Sequence, residues 1–392
     1  MCHPHEDRWH TTSCSRWYTW CPLAHNAPSV SLGHAPPFSP GTQRGMTSNA
    51  PKRRVAVTLT QYLMSTQPAG SKGDFSLLMM AIQTAVKVVE KNIRRAGMHG
   101  NFGYVGDHAQ NATGDEQAKL DVISNEAFKS HLASSEKVFI MGSEEEETGV
   151  AVNGPRRGCY IICFDPLDGS SNIDANVSVG SIWGIWRVDP ATARAAKVES
   201  DAEATKLLLR PGNTLVSAGY AMYGSATNLV LSTGHNRVDG FTLDASIGEF
   251  LLTHPNMRVG KKKIYSVNEG NQSLWHPWFD QYVTSLKQGP KPYSLRYIGS
   301  MVADVHRTIL YGGVFAYPDD TKSKEGKLRY LYEAAPMAFL VENAGGVAVT
   351  GAGRILDVVP TKLHQRVPVF LGSKEEIAKL QSFRDKALTS KL

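Results

Sequence analysis

The chain has 392 residues, of which 42% are hydrophobic and 20% are charged, and its formal net charge is +6. This composition is typical of a globular protein large enough for two domains with sizeable cores. No apolar run approaches the roughly 18 residues that a membrane span needs, and so mild a charge does not call for a nucleic acid partner. The five cysteines form no disulfide framework, which favours a reducing compartment.

Residues 1 to about 50 differ from the rest of the chain. They are rich in His, Pro, Ser, Thr and Trp, and they show no helical or strand periodicity. The segment lacks the apolar region of a secretory signal. Its histidines and cysteines offer zinc ligands, but no repeated Cys-x₂-Cys spacing appears. We therefore predict a disordered extension, and Met46 leaves open an upstream-extended gene model.

The remaining chain alternates predicted helices with predicted strands. Helices are predicted at 58–64, 74–96, 119–132, 275–287, 302–310, 330–343 and 374–386, and strands at 138–141, 160–164, 177–187, 214–221, 229–231 and 261–267. A glycine-rich stretch at 97–114 reads as a mobile loop, and the region from 188 to about 206 as a polar insert. This alternation, without internal repeats, indicates a layered α/β fold.

Two aspartates end one of the apolar strands. Tyr160 to Phe164 reads as a buried strand, and Asp165-Pro-Leu-Asp168 follows at a proline that must break the sheet ladder. Mg²⁺ usually takes one or two carboxylates together with substrate phosphate. The alternative for these four residues alone is an inert Asp-rich turn.

The residues after this turn suit a phosphate. Gly169 allows close backbone approach, and Ser170 and Ser171 add hydroxyl and amide donors. A second acidic run, Glu144 to Glu147, follows the strand at 138–141. Acids at the ends of neighbouring strands are what a shared metal site needs, so we assign Glu144 and Glu145 to metal, and Glu146 and Glu147 to the solvated surface.

The whole pattern resembles the fructose-1,6-bisphosphatase family of Mg²⁺-dependent sugar phosphatases. The resemblance covers nearly all of residues 56 to 375. It rests on Thr113-Gly-Asp, Ser143-Glu-Glu, Phe164 to Asp174, Ala221-Met-Tyr-Gly-Ser-Ala-Thr, Tyr265-Ser-Val-Asn-Glu-Gly, Arg296-Tyr-Ile-Gly-Ser-Met-Val, Gly326-Lys-Leu-Arg and Leu331-Tyr-Glu. It implies a layered α-β-α-β-α sandwich, a regulatory and metal-binding domain at 51–255, a substrate domain at 256–392, and a homotetramer.

The resemblance also implies the residues of a phosphatase site that uses several Mg²⁺ ions, with Mn²⁺ as an alternative. The implied metal ligands are Glu144, Glu145, Asp165, the Leu167 carbonyl, Asp168 and Glu333. The implied proton acceptors are Asp121 and Glu145, with Asp115 on the mobile loop completing the site. The implied substrate contacts are Gly169, Ser170, Asn268, Arg296, Tyr297, Met301, Tyr317 and Lys327, of which Arg296 reaches in from a neighbouring subunit.

An AMP site is implied less completely. Tyr160 and Arg187 match the family's nucleotide site, and Gly73 and Ser76 lie at the helix turn that binds the AMP phosphate in AMP-inhibited members. Cys159, however, stands where those members have a lysine. We expect Lys72 to replace that charge, and AMP to bind weakly or in an altered pose. If strong AMP inhibition were abolished by Tyr160→Ala but unaffected by Lys72→Ala, the role of Lys72 would be wrong.

The implied activity is hydrolysis of the 1-phosphate of fructose 1,6-bisphosphate in gluconeogenesis. The alternatives are sedoheptulose-1,7-bisphosphatase or a broader sugar bisphosphatase, and a non-catalytic sugar-phosphate sensor on the same fold. The last three residues, Ser390-Lys-Leu, match a peroxisomal address read by an import receptor. They suggest a glycosome or peroxisome-like organelle, with the cytosol as the alternative.

Overall fold

The computed structural model of the protein describes residues 56–105, 110, 114, 117–154 and 157–389. The predicted extension at 1–50, Asp115 and the tripeptide at 390–392 lie outside these residues. The helices are α1 Leu59–Thr66, α2 Asp74–His99, α3 Lys119–Ser134, α4 Pro190–Ala195, α5 Asp201–Leu208, α6 Pro277–Lys287, α7 Met301–Tyr311, α8 Ala335–Asn343 and α9 Lys374–Thr389.

The strands fall into three sheets. They are β1 Val138–Ser143, β2 Val150–Ala151, β3 Tyr160–Asp168, β4 Val179–Arg187, β5 Ser217–Tyr223, β6 Thr227–Ser232, β7 Asp239–Asp244, β8 Glu249–His254, β9 Ile264–Ser266, β10 Ser294–Leu295, β11 Val314–Tyr317, β12 Leu328–Arg329, β13 Val347–Val349, β14 Arg366–Val367 and β15 Val369–Gly372. The orders are β2-β1-β3-β4-β5-β6-β7-β8, β10-β9-β11-β15-β13 and β12-β14.

The longest helix, α2, follows from its apolar stripe. Leu78, Met79, Ile82, Val86 and Val89 recur at helical spacing and are all fully buried. The helix starts after Gly73, whose φ is +78°, and ends at Gly100, whose φ is +68° and whose amide caps the last turn. The helix predicted at 74–96 is confirmed, and it extends to His99.

The helices and the two larger sheets stack in five layers. Helices α2 and α3 cover one face of the eight-stranded sheet, and α7 and α8 cover the other. The far sides of α7 and α8 contact the five-stranded sheet, whose outer face is covered by α6 and α9. The predicted α-β-α-β-α sandwich is confirmed.

The five-stranded sheet is buried on both faces, as its position between two helical layers requires. Along β15, Val369 and Leu371 belong to the large central core, whereas Phe370 between them points into a second core with Phe279 of α6. Successive strand residues face opposite sides, so one strand serves two cores. This sheet is therefore held between the central layer and the outer helices.

Two features differ from the sequence-based expectation. The predicted polar insert contains α4 and α5, which begin at the capping residues Asp189 and Ser200. Few of their residues are buried, which is why their apolar pattern is weak. The predicted helix at 330–343 starts with one π-helical turn, Tyr330–Ala334, before α8. Among the described residues, no helix combines the length and hydrophobicity required to cross a bilayer.

Candidate active site

The first acids of the site lie at the ends of two adjacent parallel strands. β1 pairs with β3, and Ser143 lies opposite Phe164. The next residues along the two strands are Glu144 and Asp165, and the Glu144 amide donates to the Phe164 carbonyl at 3.2 Å. The parallel pairing thus brings two carboxylates from separate motifs to one edge of the sheet.

The turn from Asp165 to Asp168 is held firmly in place. Asp165 Oδ1 accepts from the Leu167 amide at 2.9 Å, and Ser181 Oγ donates to the Pro166 carbonyl at 2.7 Å. The sequence predicts that the strand stops at Asp165, but pairing continues to Asp168, which lies opposite Gly180 after an irregularity. The interruption resembles a bulge and directs both carboxylates to one side.

A fourth acid comes from a distant part of the chain. Glu333 lies in the π-helical turn, and one carboxylate oxygen from each of Asp165, Asp168 and Glu333 lies within 4.8 Å of the other two. Glu333 also accepts from the Arg329 amide. π-Turns occur often at functional sites, where the extra residue redirects a side chain.

The acids repel one another in a buried space. Burial, together with the charges of Glu144, Asp168 and Glu333, raises the pKa of Asp165 well above its usual range. Burial also raises the pKa of the neighbouring Glu144 to about 7, so protonation of these carboxyl groups relieves their mutual repulsion. Arg329, whose Nη2 lies 3.3 Å from Glu144, opposes the rise in the pKa of Glu144.

This donor set fits a hard divalent cation. Buried carboxylates that take up protons for lack of positive charge are the ligands that Mg²⁺ or Mn²⁺ would take in place of those protons. The Leu167 carbonyl lines the same cavity as the acids. The cluster of Asp165, Asp168 and Glu333 could therefore hold a divalent cation, and the other implied ligands, Glu144, Glu145 and Leu167, line the same cavity.

A further carboxylate lies beside the cluster on α3. Asp121 accepts from the Ala118 amide at 2.8 Å and from Ser170 Oγ at 3.2 Å. Burial, followed by the charge of Glu145, raises the pKa of Asp121 to about 7. Glu145 accepts from Gln117 Nε2 at 2.5 Å. A carboxylate with a pKa near neutrality is suited to accept a proton from water.

The turn after Asp168 leaves room for an anion. Gly169 has a φ of +77°, and a Cβ there would lie 3.2 Å from the Ser300 Cβ, so a glycine is required on both counts. Ser170 begins a short helical turn, Ser170–Asn172. Its hydroxyl faces Asp121, so the predicted phosphate-binding residues adjoin the predicted proton acceptor.

One cavity of about 430 Å³ connects these acids with residues of the C-terminal half. The predicted substrate residues that line it are Gly169, Ser170, Asn268, Tyr297, Met301, Tyr317 and Lys327. Lys327 Nζ lies 6.0 Å from the centre of the Tyr317 ring. Burial raises the pKa of Tyr297 and Tyr317, so both hydroxyls stay protonated.

Other predicted site residues lie elsewhere. Arg296 is exposed, does not line the cavity, and donates to the Leu295 carbonyl at 2.8 Å. Asp115 is outside the described residues. Glu146, assigned to the surface, accepts from Lys129 at 2.7 Å, and Glu147 is exposed.

The cavity also contains residues to which the sequence assigned no role. They include Tyr104, Asp304, Phe315 and Arg329. Arg329 belongs to the quoted Gly326-Lys-Leu-Arg motif, so the motif marked its position but not its contact with Glu144. Asp304 is one acid on a helix with a strong apolar stripe, and no local pattern distinguishes it from a surface acid.

Of the five residues of the predicted AMP site, one, Tyr160, lines a crevice at the start of α2. It has a volume of about 230 Å³ and is lined by Asp74, Glu136, Lys137, Arg157, Gly158, Cys159, Tyr160, Pro190 and Arg194. Neither Lys72, which is exposed, nor Arg187 lines it. Lys137 Nζ does, 2.8 Å from Asp74, and Ser76 accepts from Gln67.

Comparison with known proteins agrees with this geometry. Residues 57–255 match the model of the fructose-1-6-bisphosphatase N-terminal domain, and residues 259–385 that of the C-terminal domain. The cytosolic fructose-1,6-bisphosphatase of Oryza coarctata is 49% identical over 331 residues, which is 83% of this chain and 93% of that protein. That of Brassica napus is 48% identical over 343 residues, covering 86% and 98%.

Solved structures agree as well. The crystal structure of Leishmania major fructose-1,6-bisphosphatase in holo form has a TM-score of 0.80 and 59% identity, and covers 85% of this chain and all of that one. Its T-state structure has a TM-score of 0.76 and 57% identity, with 85% and 100% covered. Matches of this extent across both halves of the chain establish that the protein belongs to the fructose-1,6-bisphosphatase family.

Proposed function

We propose that this protein hydrolyses the 1-phosphate of fructose 1,6-bisphosphate to fructose 6-phosphate and phosphate, the reaction of its family in gluconeogenesis. The observation that carries the proposal is one cavity lined by two chemically distinct sets of residues. We take the buried acids and the Gly169–Ser170 turn as its acidic end, and Asn268, the two tyrosines and Lys327 as its distal, sugar-phosphate end. A phosphate can be attacked at the first end while the rest of the sugar phosphate is held at the second.

The acidic end would hold divalent metal through Glu144, Glu145, Asp165, Asp168, Glu333 and the Leu167 carbonyl, with Mg²⁺ as the proposed ion and Mn²⁺ as a substitute. Metal bound there would supply the positive charge that a transferring phosphoryl group needs. Without it, this group of acids would repel a phosphate. The cluster therefore supports a metal-dependent hydrolase over a sugar-phosphate sensor that binds without chemistry.

The chain itself contributes the remaining steps. The Gly169 and Ser170 amides and the Ser170 hydroxyl bind the phosphate that leaves. Asp121, whose pKa is raised to about 7, accepts the proton of the attacking water, and Glu145 is held for the same task by Gln117. At the distal end Lys327, Tyr297 and Tyr317 bind phosphate and sugar, and Met301 packs beside the ring.

Phosphate release tests this reaction. The purified chain is assayed with fructose 1,6-bisphosphate, sedoheptulose 1,7-bisphosphate and inositol 1-phosphate, each with Mg²⁺, Mn²⁺ or excess chelator. We expect the highest kcat/KM for the fructose ester, and none with chelator. Preference for the seven-carbon ester would favour the sedoheptulose alternative. Tight binding without turnover of any ester would favour the sensor.

A neighbouring subunit completes the site in this proposal. Arg296 is exposed and outside the cavity of its own chain, and its fork of donors suits a phosphate on a partner in a homotetramer. Mixed tetramers test the idea. Arg296→Ala subunits and Asp165→Asn subunits, each impaired alone, should regain activity when they are mixed, and no recovery would contradict sharing.

AMP is proposed as an inhibitor that binds in the crevice at the start of α2. The contacts favour Lys137 over Lys72 as the replacement for the ammonium group missing at Cys159, because Lys137 lines the crevice. AMP titration of the activity decides between them. Lys137→Ala should weaken inhibition more than Lys72→Ala, and the reverse order would restore the prediction for Lys72.

Import into a glycosome or peroxisome-like organelle is proposed from Ser390-Lys-Leu alone, since the plant relatives compared above are named cytosolic. A fluorescent protein fused after Leu392 would block a receptor that reads a free terminus. We expect the fusion to become cytosolic, while a fusion that leaves the terminus free enters the organelle. Identical distributions would contradict the address.

A further inference from the structure

One buried carboxylate beside the cavity has an unusually full set of donors. Asp304, in the first turn of α7, is fully buried. Its Oδ1 accepts from Ser266 Oγ at 2.8 Å and from Arg307 Nη2 at 2.8 Å. The Ile298 amide donates to both oxygens at 3.1 Å, and the Gly299 amide donates to Oδ2 at 3.1 Å.

These donors belong to separate elements that all carry proposed substrate contacts. Ser266 ends β9, two residues before Asn268. The Ile298 and Gly299 amides follow Tyr297 directly in the segment that leads into α7. Met301 begins α7 itself. Asp304 therefore connects three pieces of chain whose side chains line the sugar-phosphate end of the cavity.

The segment before α7 depends on this carboxylate for its shape. Gly299 has a φ of +85°, so the chain turns sharply there and exposes two successive amides to one acceptor. Beyond the turn, Ser300 Oγ and the Val302 amide contact Asp168. The segment is thus held by Asp304 on one side and by the acidic end of the cavity on the other.

We propose that Asp304 is a positioning residue for recognition of the sugar phosphate. It holds Tyr297, Asn268 and Met301 in one arrangement without touching the substrate. This inference rests on the proposed function. An amide in its place would keep the size but lose the charge facing Arg307. It would also present an NH₂ group to donors, so the turn at Gly299 would lose an acceptor.

Asp304→Asn tests the proposal in the full-length protein. We expect KM for fructose 1,6-bisphosphate to rise about tenfold while kcat changes less than about threefold, the pattern of lost binding shared by ground state and transition state. Calorimetric titration of the metal-free protein with fructose 6-phosphate should show a Kd weakened about tenfold. This second measurement needs no turnover, so it separates failure of the positioning role from failure of the proposed reaction.

Asp239→Asn is the matched control. Asp239 is an equally buried acid that accepts from Tyr62 at 2.7 Å, from the Asn256 amide at 2.9 Å and from Arg237, and it does not line the cavity. The Asp239→Asn substitution should lower the melting temperature and leave fructose 6-phosphate binding unchanged.

If Asp304→Asn does not fold, Ser266→Ala is tested in its place, because this variant removes only one donor to Asp304. We then expect the Kd for fructose 6-phosphate to be weakened about threefold. A folded Asp304→Asn protein that binds fructose 6-phosphate like wild type would overturn the proposal. So would a fall in kcat with an unchanged KM, or wild-type binding by Ser266→Ala when Asp304→Asn is unfolded.

Discussion

The cavity is lined by acids of two kinds, the single Asp304 and the acidic cluster, and they are stabilised in opposite ways. Asp304 is surrounded by donors from β9, from the preceding loop and from Arg307. The acidic cluster of Asp165, Asp168, Glu144 and Glu333 has few donors for its charge, and its members raise one another's pKa. Asp304, Asp165, Asp168 and Glu333 are all buried, so similar burial accompanies very different chemistry.

The contrast shows that the groups around a buried carboxylate, and not its burial alone, determine its role. An acid with a full complement of donors is satisfied as an anion and acts as a structural anchor. An acid that faces other acids is satisfied only by a proton or a cation, so it destabilises the chain until one arrives. The first kind keeps a site in shape, and the second kind gives it a place for metal.

The largest expected effect is that of Asp165→Asn on activity. Loss of a ligand to the proposed metal should lower kcat by about 1,000-fold, equivalent to about 4 kcal/mol of transition-state stabilisation. The amide can donate to Glu144, so the metal-free variant should also melt at a higher temperature than wild type. Phosphate release and calorimetric melting measure the two effects.

Glu146→Gln is the control for this change, because Glu146 pairs with Lys129 and does not line the cavity. Its kcat should stay within about threefold of wild type, because this half-buried ion pair lies outside the cavity. An active Asp165→Asn protein, or an equal loss in both variants, would contradict the contrast.

In the metal-free protein, Asp304→Asn should lower the stability, whereas Asp165→Asn should raise it. Removing the charge opposite Arg307 leaves a buried ion without its partner, which typically costs about 3 kcal/mol in free energy of unfolding. Urea unfolding of Asp304→Asn and Asp165→Asn side by side measures the difference. If both variants shift the midpoint in the same direction, the two acid environments are not opposite in kind.

The pH dependence of the stability of the metal-free protein further distinguishes the acidic cluster from Asp304. Burial, opposed by Arg329 and assisted by the charge of Glu144, raises the pKa of Glu333 to about 8. An acid with a raised pKa keeps its proton longer in the folded state, so its unfavourable ionisation lowers stability as pH rises. We expect the free energy of unfolding to fall by about 1–3 kcal/mol between pH 5 and pH 8.

Glu333→Gln should flatten this slope, and saturating Mg²⁺ should cancel it, because metal replaces the protons. Denaturant midpoints at several pH values provide the measurement. Parallel slopes for wild type and Glu333→Gln would show that Glu333 does not titrate in this range.

The smallest effect is expected from Ser181, which supports the turn from Asp165 to Asp168. Ser181 Oγ donates to the Pro166 carbonyl and contacts the Tyr223 hydroxyl at 2.8 Å, all buried. Ser181→Ala should cost about 1 kcal/mol of stability and reduce metal affinity a few-fold, since partners behind a ligand tune binding. Melting curves and Mg²⁺ titration of activity test it. Unchanged metal affinity would limit Ser181 to packing.

Local signals predicted a large part of this molecule. The stripe of α2, the strand before Asp165 and the acids after β1 were readable because periodicity and turn residues act over a few positions. Helices α4 and α5 were missed although Asp189 and Ser200 cap them, since only a few of their residues are buried. The bulge that extends β3 to Asp168 was missed because the pairing with β4 depends on both strands and cannot be predicted from the sequence of either one.

The sequence by itself determined where strands end in acids, which segment turns at Gly169, and which family the chain resembles, because each of these rests on residues close together in the chain. Only the tertiary structure brought Glu333 to within 4.8 Å of Asp165 and Asp168 and surrounded Asp304 with donors from three elements. The Glu333 contacts join residues more than a hundred positions apart, and the donors to Asp304 come from separate elements, so both depend on how those elements pack. The character of each buried acid is therefore decided by packing.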